Sequence, residues 1–428
     1  MIEPQRIRPL NRKGVRRGRY VLYWMQASQR AAANHALEYA AERANELARP
    51  VVAAFGLTAD YPGANARHYT FLLEGLADTA RDLAERGVRL VVRRGHPPDV
   101  AAELARDAAL VVTDRGYLRH QRAWRQQLGR AVGCRALQVE SDAVVPVEAA
   151  SDKAEYAART IRPKLRRHWK AFLRPVQPVP LDKDSLGLDL GGLDLSHPAG
   201  VVEDLGVDER IGPSGVYRGG ASAARGWLAA FCRHKLARYG EARSDPGANV
   251  QSEMSPYLHF GQISPIEIAL AVRRARAPQP AKDDYLEELL VRRELGINYA
   301  FYQERYDSYA ALPGWARATL ARHAGDERPA VYRWADLEAA HTHDDSWNAA
   351  MTEMRVTGKM HNYMRMYWGK KILEWTRSPR TAYRWMRDLN DAWFLDGRDP
   401  VSYANVGWCL GLHDRPWAER KVFGTVRY

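Results

Sequence analysis

The chain has 428 residues, of which 46% are hydrophobic and 27% are charged. This length suits two domains, since single cores seldom exceed roughly 250 to 300 residues, and no apolar run approaches the roughly 18 to 20 residues that a membrane span needs. Lys and Arg outnumber Asp and Glu by 64 to 51, which favours a polyanionic partner. The three cysteines are widely spaced and match neither a disulfide framework nor a zinc site, which favours a reducing, cytoplasmic setting.

The first 19 residues are basic and are followed by no apolar stretch of the kind found in signal peptides. The stretch "VLYWMQASQR" turns polar too soon for that role. We therefore predict a disordered basic N-terminal arm over residues 1–19.

Residues 20–174 alternate short apolar runs with amphipathic stretches. The runs "YVLYWM", "PVVAAFG", "VRLVVRRG", "ALVVTD" and "CRALQVE" predict strands, and the segments between the first four predict helices. Strict alternation of strand and helix indicates a Rossmann-like parallel sheet covered by helices, with a ligand site at the carboxyl ends of the strands. No GxGxxG follows the first strand, which argues against a standard dinucleotide fingerprint.

Residues 175–215 are rich in Pro, Gly and Asp and have no sustained periodicity, which predicts an inter-domain linker. Helical periodicity broken by Pro and Gly then continues to the C-terminus, and it predicts an all-α domain over residues 216–428.

The stretch "VQSEMSPYLHFGQISPIEIAL" contains two Ser-Pro helix starts, which are typical either of plain capping or of a phosphate site. The helix "LEELLVRRELGINYAFY" places Glu288, Arg292 and Arg293 among leucines. These charges are either surface i,i+4 pairs, such as Glu288 with Arg292, or buried paired charges beside a ligand.

The helix "GKMHNYMRMYWGKKILEW" carries Trp368 and Trp375 on nearly one face, about 10 Å apart along its axis. Packing alone explains two buried tryptophans equally well. The acidic and histidine-rich start of the preceding segment, "HTHDD", fits a solvated helix start and no metal site. Ten of the 13 tryptophans lie at or beyond Trp227, and those near the C-terminus alternate with arginines, which favours contact with nucleic acid.

Seven segments, spread in order over nearly the whole chain, resemble the class II cyclobutane pyrimidine dimer photolyases of the photolyase/cryptochrome superfamily. They are "YWMQASQRAAANHAL", "SPYLHFGQIS", "EELLVRREL", "WNAAMTEM", "KMHNYMRMYWGKKILEWT", "LDGRDP" and "HDRPWAERKVFGTVRY".

The resemblance implies an α/β antenna domain and a helical domain that holds FAD. It implies an enzyme, a carbon–carbon lyase, in which light-excited reduced FAD sends an electron to a pyrimidine dimer flipped out of UV-damaged DNA. For the antenna, a deazaflavin, a folate or no chromophore all stay open. A monomer without an obligate protein partner or membrane is expected, in the cytoplasm or, in a eukaryote, the nucleus.

The resemblance also assigns roles to residues. Glu288, Met366 and Trp408 would contact the dimer, with Asn390 beside the reactive part of the flavin. Trp368, Trp347 and Trp375 would form an electron path from the flavin to the surface, in that order. Arg415, Trp417 and Arg427 would fill the gap left in the duplex. The residues expected to bind FAD are Tyr239, Ser252, Met254, Ser255, Arg293, Asn362, Arg365, Asn390 and Asp396; Asn362 stands where relatives often have glycine.

Three alternatives are weaker. A cryptochrome-like photoreceptor would not need Glu288, Met366 or the basic C-terminal end. A (6-4) photolyase would need a histidine at the lesion, and His361 and His413 lie in class II contexts. A non-catalytic nucleic-acid-binding protein would explain the charge but not the flavin-binding residues.

Overall fold

A computed structural model describes all residues from Met1 to Tyr428. The N-terminal part is a six-stranded sheet with the strand order β1-β6-β5-β2-β3-β4, in which only β1 runs antiparallel to its neighbour. The strands are β1 Ile7–Pro9, β2 Tyr20–Trp24, β3 Val51–Leu57, β4 Arg89–Arg94, β5 Ala108–Asp114 and β6 Arg135–Val139. The five predicted strands are β2 to β6, and the predicted combination of an α/β part and an all-α part is confirmed.

Helices cover the sheet and build the C-terminal part. Those up to residue 205 are α1 His35–Glu46, α2 Ala66–Glu85, α3 Pro97–Leu104, α4 Arg119–Ala131, α5 Val147–Ala150, α6 Ala158–Phe172 and α7 Pro198–Leu205. The next are α8 Ala221–Ala230, α9 Leu236–Ala242, α10 Ser255–His259, α11 Pro265–Arg274, α12 Gln279–Glu287 and α13 Arg293–Tyr302. The last are α14 Gly314–Arg322, α15 Trp334–Glu338, α16 Asp345–Thr357, α17 Asn362–Glu374, α18 Pro379–Trp393 and α19 Pro400–Trp408. None of these helices has both the length and the apolar character that crossing a bilayer requires.

The N-terminal arm is ordered, contrary to the prediction. Its strand β1 pairs with β6, and the Arg6 side chain before it is fully buried. Arg6 donates hydrogen bonds to the carbonyl oxygens of Glu140, Ala143 and Val144. These hydrogen bonds compensate the burial of the Arg6 charge and attach the arm to the edge of the sheet.

The segment predicted to be a linker lies against the α/β part. Val201 and Val202 of α7 are buried in its core, and Leu190 is buried on the other side of the sheet. The amide of Leu193 donates to the carbonyl of Val92 at 2.7 Å. Residues 175–215 therefore form a packed strap along β4 rather than a free linker.

Helix α6, which the sequence places in the α/β domain, packs instead with the helical part. Its Ile161, Leu165 and Phe172 belong to the core that also contains Phe231 and Leu290. The predicted boundary at residue 174 is therefore too late for the core, because the chain enters the helical part about one helix earlier.

Candidate active site

A cavity of about 920 Å³ opens into the helical part between α10, α13, α16, α17 and α19. A volume of this size is at the upper end for a small-molecule or cofactor site. The cavity is lined by thirteen of the residues singled out in the sequence: Tyr239, Ser252, Met254, Ser255, Glu288, Arg293, Asn362, Arg365, Met366, Trp368, Asn390, Asp396 and Trp408.

Arg365 of α17 forms a two-pronged ion pair at one wall of this cavity. Its guanidinium donates to the two carboxylate oxygens of Asp396 at 2.7 and 3.0 Å and lies 3.7 Å from the ring centroid of Phe394. Burial opposes ionisation of Asp396, but Arg365 and a hydrogen bond from Ser255 outweigh it and lower the pKa of Asp396 to about 2. The wall is therefore charged and fixed in orientation before any ligand binds.

Asn390 of α18 is buried beside this pair, and its amide is held on both sides. Its side-chain oxygen accepts from the Ser402 hydroxyl at 2.8 Å, and its side-chain nitrogen donates to Asp391 at 2.9 Å. Burial raises the pKa of Asp391. The two partners set which end of the Asn390 amide faces Arg365, whose nearer nitrogen is 3.5 Å from the Asn390 oxygen.

Glu288 begins a π-helical turn, Glu288–Arg292, that joins α12 to α13. It does not pair with Arg292, as the i,i+4 alternative would require; Arg243 donates to it at 2.8 Å instead. Arg292 is nearest Glu287, at 3.8 Å, and lies 5.5 Å from the ring centroid of Trp408. The wide turn changes the helical register, which points Glu288 into the cavity.

The two Ser-Pro helix starts have different roles. Ser264 is buried away from the cavity and caps α11 through the amide of Ile266 at 3.2 Å, which is plain capping. Ser255 at the start of α10 lines the cavity, as does Ser252, whose hydroxyl accepts from Tyr285 at 3.0 Å. Tyr239 stacks edge-on against Tyr285 at 5.3 Å.

Arg293 and Asn362 both line the cavity but differ in their surroundings. Arg293 donates to the carbonyl of Asp142 at 2.7 Å and also lines a second cavity between the α/β and helical parts. Asn362 is the exposed first residue of α17 at the cavity rim.

The three tryptophans lie one behind another, starting from the cavity wall. Trp368 lines the cavity, and the indole N–H of Trp347 donates to the backbone carbonyl of Trp368 at 3.1 Å. The rings of Trp347 and Trp375 are 5.6 Å apart. Trp375 is 0% exposed, contrary to the expectation that it reaches the surface, because Tyr332 and His343 cover it.

The residues expected to enter DNA lie together on the C-terminal segment, outside the cavity. The Trp417 side chain is 42% exposed, and the guanidinium carbons of Arg415 and Arg427 lie 5.2 and 5.1 Å from its ring centroid. Buried Lys370 of α17 anchors this segment through the carbonyls of Cys409 and Arg427. Met366 and Trp408 are partly buried and line the cavity.

Known relatives cover the whole chain. The DNA photolyase family model matches residues 21–181. A deoxyribodipyrimidine photo-lyase from Methanothermobacter thermautotrophicus is 51% identical over 100% of this chain and 94% of its own. The chain belongs to the DNA photolyase family. A deoxyribodipyrimidine photo-lyase from Potorous tridactylus is 36% identical over 95% of this chain and 77% of its own.

A solved archaeal photolyase from Sulfolobus tokodaii, described with two FAD molecules, has the same fold at 15% identity. Its TM-score is 0.71, and the match covers 91% of this chain and 82% of that one. This likeness shows the fold, while the relatives named above show that the chain is an enzyme. Its large cavity fits FAD in volume. The cavity also presents groups that can contact a cofactor with both polar and aromatic parts. They are the Arg365–Asp396 pair, the Ser252 and Ser255 hydroxyls and the Phe394 ring. No group of three or more His, Cys, Asp or Glu side chains in the chain is arranged to hold a metal ion.

Several residues of the site were missed in the sequence. Arg243 pairs with Glu288 across 45 positions, Phe394 lies under Arg365, and Ser402 orients Asn390. Only Phe394 carried a signal, because it lies next to "LDGRDP". The other two come from helices whose approach to the cavity is decided by tertiary packing.

Proposed function

We propose that this photolyase repairs cyclobutane pyrimidine dimers in UV-damaged DNA with light, and that it does so as a class II enzyme. The observation that carries the proposal is the placement of Glu288, Met366 and Trp408 on the same cavity as the Arg365–Asp396 wall. The Methanothermobacter and Potorous relatives, which match nearly the whole chain, are both named deoxyribodipyrimidine photo-lyase and support the same activity.

When bound and excited by light in its reduced form, FAD supplies the electron that opens the cyclobutane ring. The protein's part is to orient the two reactants and keep water out. Arg365 and Asp396 present fixed hydrogen-bonding groups, and the Asn390 amide lies between them and Ser402. These contacts are formed in the protein alone, so binding needs little reorganisation.

Glu288 is the group proposed to read the dimer. Its carboxylate can accept an N–H of a flipped pyrimidine, a hydrogen bond that an intact base pair would not offer. In the free protein the same carboxylate is held by Arg243 at 2.8 Å, and both side chains are about one-third exposed. Binding of the dimer would therefore take a partner from Arg243 and leave that guanidinium free for a phosphate.

The remaining lesion contacts are apolar or stacking. Met366 and Trp408 give the flipped bases a surface with little competing hydrogen bonding. Arg415, Trp417 and Arg427 present an exposed indole between two cations, which suits the gap that a flipped dimer leaves in a duplex.

Trp368, Trp347 and Trp375 are proposed to carry electrons to the cavity wall, starting from Trp375, which lies beneath Tyr332 and His343. The 5.6 Å ring contact and the indole-to-carbonyl hydrogen bond connect the three along one line. Trp347 comes from α16 and so bridges two residues of α17 that lie about two turns apart.

The second cavity, of about 120 Å³, is the proposed antenna site. It lies at the carboxyl ends of β2 and β3 and is lined by Trp24, Tyr61 and Trp124 from the α/β part and by Phe260 and Arg398 from the helical part. Flat aromatic walls suit a deazaflavin or a folate, and because about 120 Å³ is below the roughly 300 to 1,000 Å³ of ligand pockets, the chromophore would have to widen the cavity. The absorption and emission spectra of protein purified from its native host would identify the chromophore, and a spectrum of FAD alone would argue against an antenna there.

A (6-4) specificity is not favoured by the histidines near the cavity. The His361 ring is hydrogen-bonded to Gln251 at 2.9 Å, and His413 to the carbonyl of Tyr156 at 2.8 Å. Burial lowers the pKa of His413 to about 4, so the ring is neutral at neutral pH, and its Nδ1–H is already donated to the carbonyl of Tyr156.

The test is direct. Purified protein should be coloured by FAD, and with a reductant and near-ultraviolet or blue light it should restore dimer-containing oligonucleotides while leaving (6-4) lesions unchanged. Colourless protein that takes up no FAD would refute the proposal, as would repair that proceeds equally in the dark. We further propose a monomer acting in the cytoplasm, or in the nucleus of a eukaryote; size-exclusion chromatography with light scattering would detect a dimer.

A further inference from the structure

Helix α6 is strongly basic and contains no acidic residue. Its sequence, "ARTIRPKLRRHWKAF", has four arginines and two lysines. At about 100° per residue, Arg159, Arg166 and Lys170 fall within about 40° of one another around the helix axis. Ile161, Leu165 and Phe172 lie on the opposite side and are buried, so the three cations form one solvent-facing stripe.

The stripe and the exposed Arg167 beside it form no ion pair, whereas the other two cations of the helix do. Arg162 pairs with Glu287 at 2.6 Å, and Lys164 pairs with Glu155 at 2.5 Å. The side chains of Arg159, Arg166 and Lys170 are exposed and contact no carboxylate. The cations that face α12 and the α5–α6 turn are neutralised by the protein, and those that face outwards are not.

Both the C-terminal DNA segment and the mouth of the cavity contact helix α6 or the residues just before it. The Tyr156 hydroxyl, two residues before α6, donates to the carbonyl of Asp414, and the Tyr156 carbonyl is bonded to His413 at 2.8 Å. The Arg162–Glu287 pair attaches the helix beside Glu288. Helix α6, which carries the stripe, is thus attached beside both the C-terminal DNA segment and the mouth of the cavity.

We propose that the α6 stripe, Arg159, Arg166 and Lys170, binds backbone phosphates of the duplex that flanks the flipped dimer. The inference rests on the proposed function, because the cavity mouth must already lie against DNA. Arg159 and Lys170 are about 16 Å apart along the helix, at about 1.5 Å per residue, which equals the axial length of about five base pairs. Such contacts position the duplex and carry no sequence information.

The test compares two variants with equal loss of charge. In the stripe variant, Arg159→Gln, Arg166→Gln and Lys170→Gln are combined. In the control, Arg49→Gln, Arg106→Gln and Arg130→Gln remove three exposed, unpaired arginines from the α/β part. Glutamine is a good helix former, so both variants should keep the fold, the FAD content and the melting temperature.

Affinity for a dimer-containing duplex is measured at several salt concentrations. We expect the stripe variant to lose at least about tenfold in affinity, and its slope of log affinity against log salt to fall by about 2 to 3, while the control keeps its slope. Repair of a dimer within a trinucleotide, too short to reach α6, should be unchanged in both. An unchanged slope in the stripe variant, or an equal loss in the control, would overturn the inference.

Failure of the unmodified enzyme to bind or repair dimer DNA would instead overturn the proposed function, and the inference with it. A stripe variant that also loses repair of the trinucleotide would show that α6 acts through the fold of the cavity, which contradicts a phosphate-binding role.

Discussion

Arg365 and Asp396 form a bidentate ion pair that is complete before a cofactor binds, with oxygen–nitrogen distances of 2.7 and 3.0 Å. Removing one partner of a buried pair leaves the other charge uncompensated, at a cost of about 3 to 5 kcal/mol. We therefore expect Asp396→Asn to lower both the FAD-to-protein ratio and the melting temperature.

The matched control is Asp388→Asn, which breaks the half-exposed pair of Asp388 with Arg387 at 2.6 Å. Exposed pairs contribute only about 0 to 1 kcal/mol, so FAD content should be kept. The sign of the pH effect follows from the lowered pKa of Asp396, about 2. The stabilisation of the folded protein by Asp396 is present above the ordinary pKa of an aspartate and is lost as the pH falls towards 2. For the two variants, an equal loss of FAD would contradict a special role for the Arg365–Asp396 pair.

Glu288→Gln should weaken binding of dimer-containing DNA by about 10- to 100-fold, because a hydrogen bond to a charged group contributes about 1.5 to 3 kcal/mol. Affinity for undamaged DNA should change little, since the cavity is not entered. Glu241→Gln is the control, because Glu241 is an exposed carboxylate on the neighbouring helix α9 and does not line the cavity. Fluorescence anisotropy with damaged and undamaged duplexes separates these outcomes, and an equal effect of both variants would exclude a lesion-reading role for Glu288.

Trp347→Phe should abolish light-driven reduction of oxidised FAD, because it removes the middle ring between Trp368 and Trp375. Repair by enzyme reduced chemically beforehand should stay near that of the unmodified protein. Trp385→Phe is the control; its ring packs on Trp334 at 6.0 Å, away from this line. Photoreduction followed by absorption at constant light dose gives the readout, and a normal rate in Trp347→Phe would place the electron path elsewhere.

The sequence predicts elements well where local pattern decides them. Strands β2 to β6 are apolar runs between helices, and three of the five, β2, β3 and β5, are wholly buried. Strand β1 has three residues, and its place depends on Arg6 reaching carbonyls more than 130 positions away. No local sequence pattern indicates such a contact, and the sequence alone therefore predicted a disordered basic arm.

The same limit applies to the site. Residues on named motifs, such as Arg365 and Asp396, could be assigned to one cavity from the resemblance. The Arg243 contact of Glu288 could not, because a π-helical turn changes which residue faces which. Likewise Trp375 is buried by Tyr332 and His343, which come from segments outside its helix. Contacts between helices, rather than periodicity within one, decide these details.

Glu294 of α13 joins the helical part to the α/β part, since its buried carboxyl accepts hydrogen bonds from the amides of Val144 and Val145. Burial raises the pKa of Glu294 to about 8, although Arg293 and the two amides oppose the rise. The folded protein therefore binds more protons than the unfolded chain between about pH 4.5 and 8, and the free energy of unfolding must fall as the pH rises through that range. Glu294→Gln keeps an acceptor oxygen but cannot ionise, so its melting temperature should decline less between pH 5 and about pH 8 than that of the unmodified protein. Calorimetry at several pH values measures the difference, with the exposed Glu304→Gln as the control; parallel curves for all three proteins would show that Glu294 does not titrate in this range.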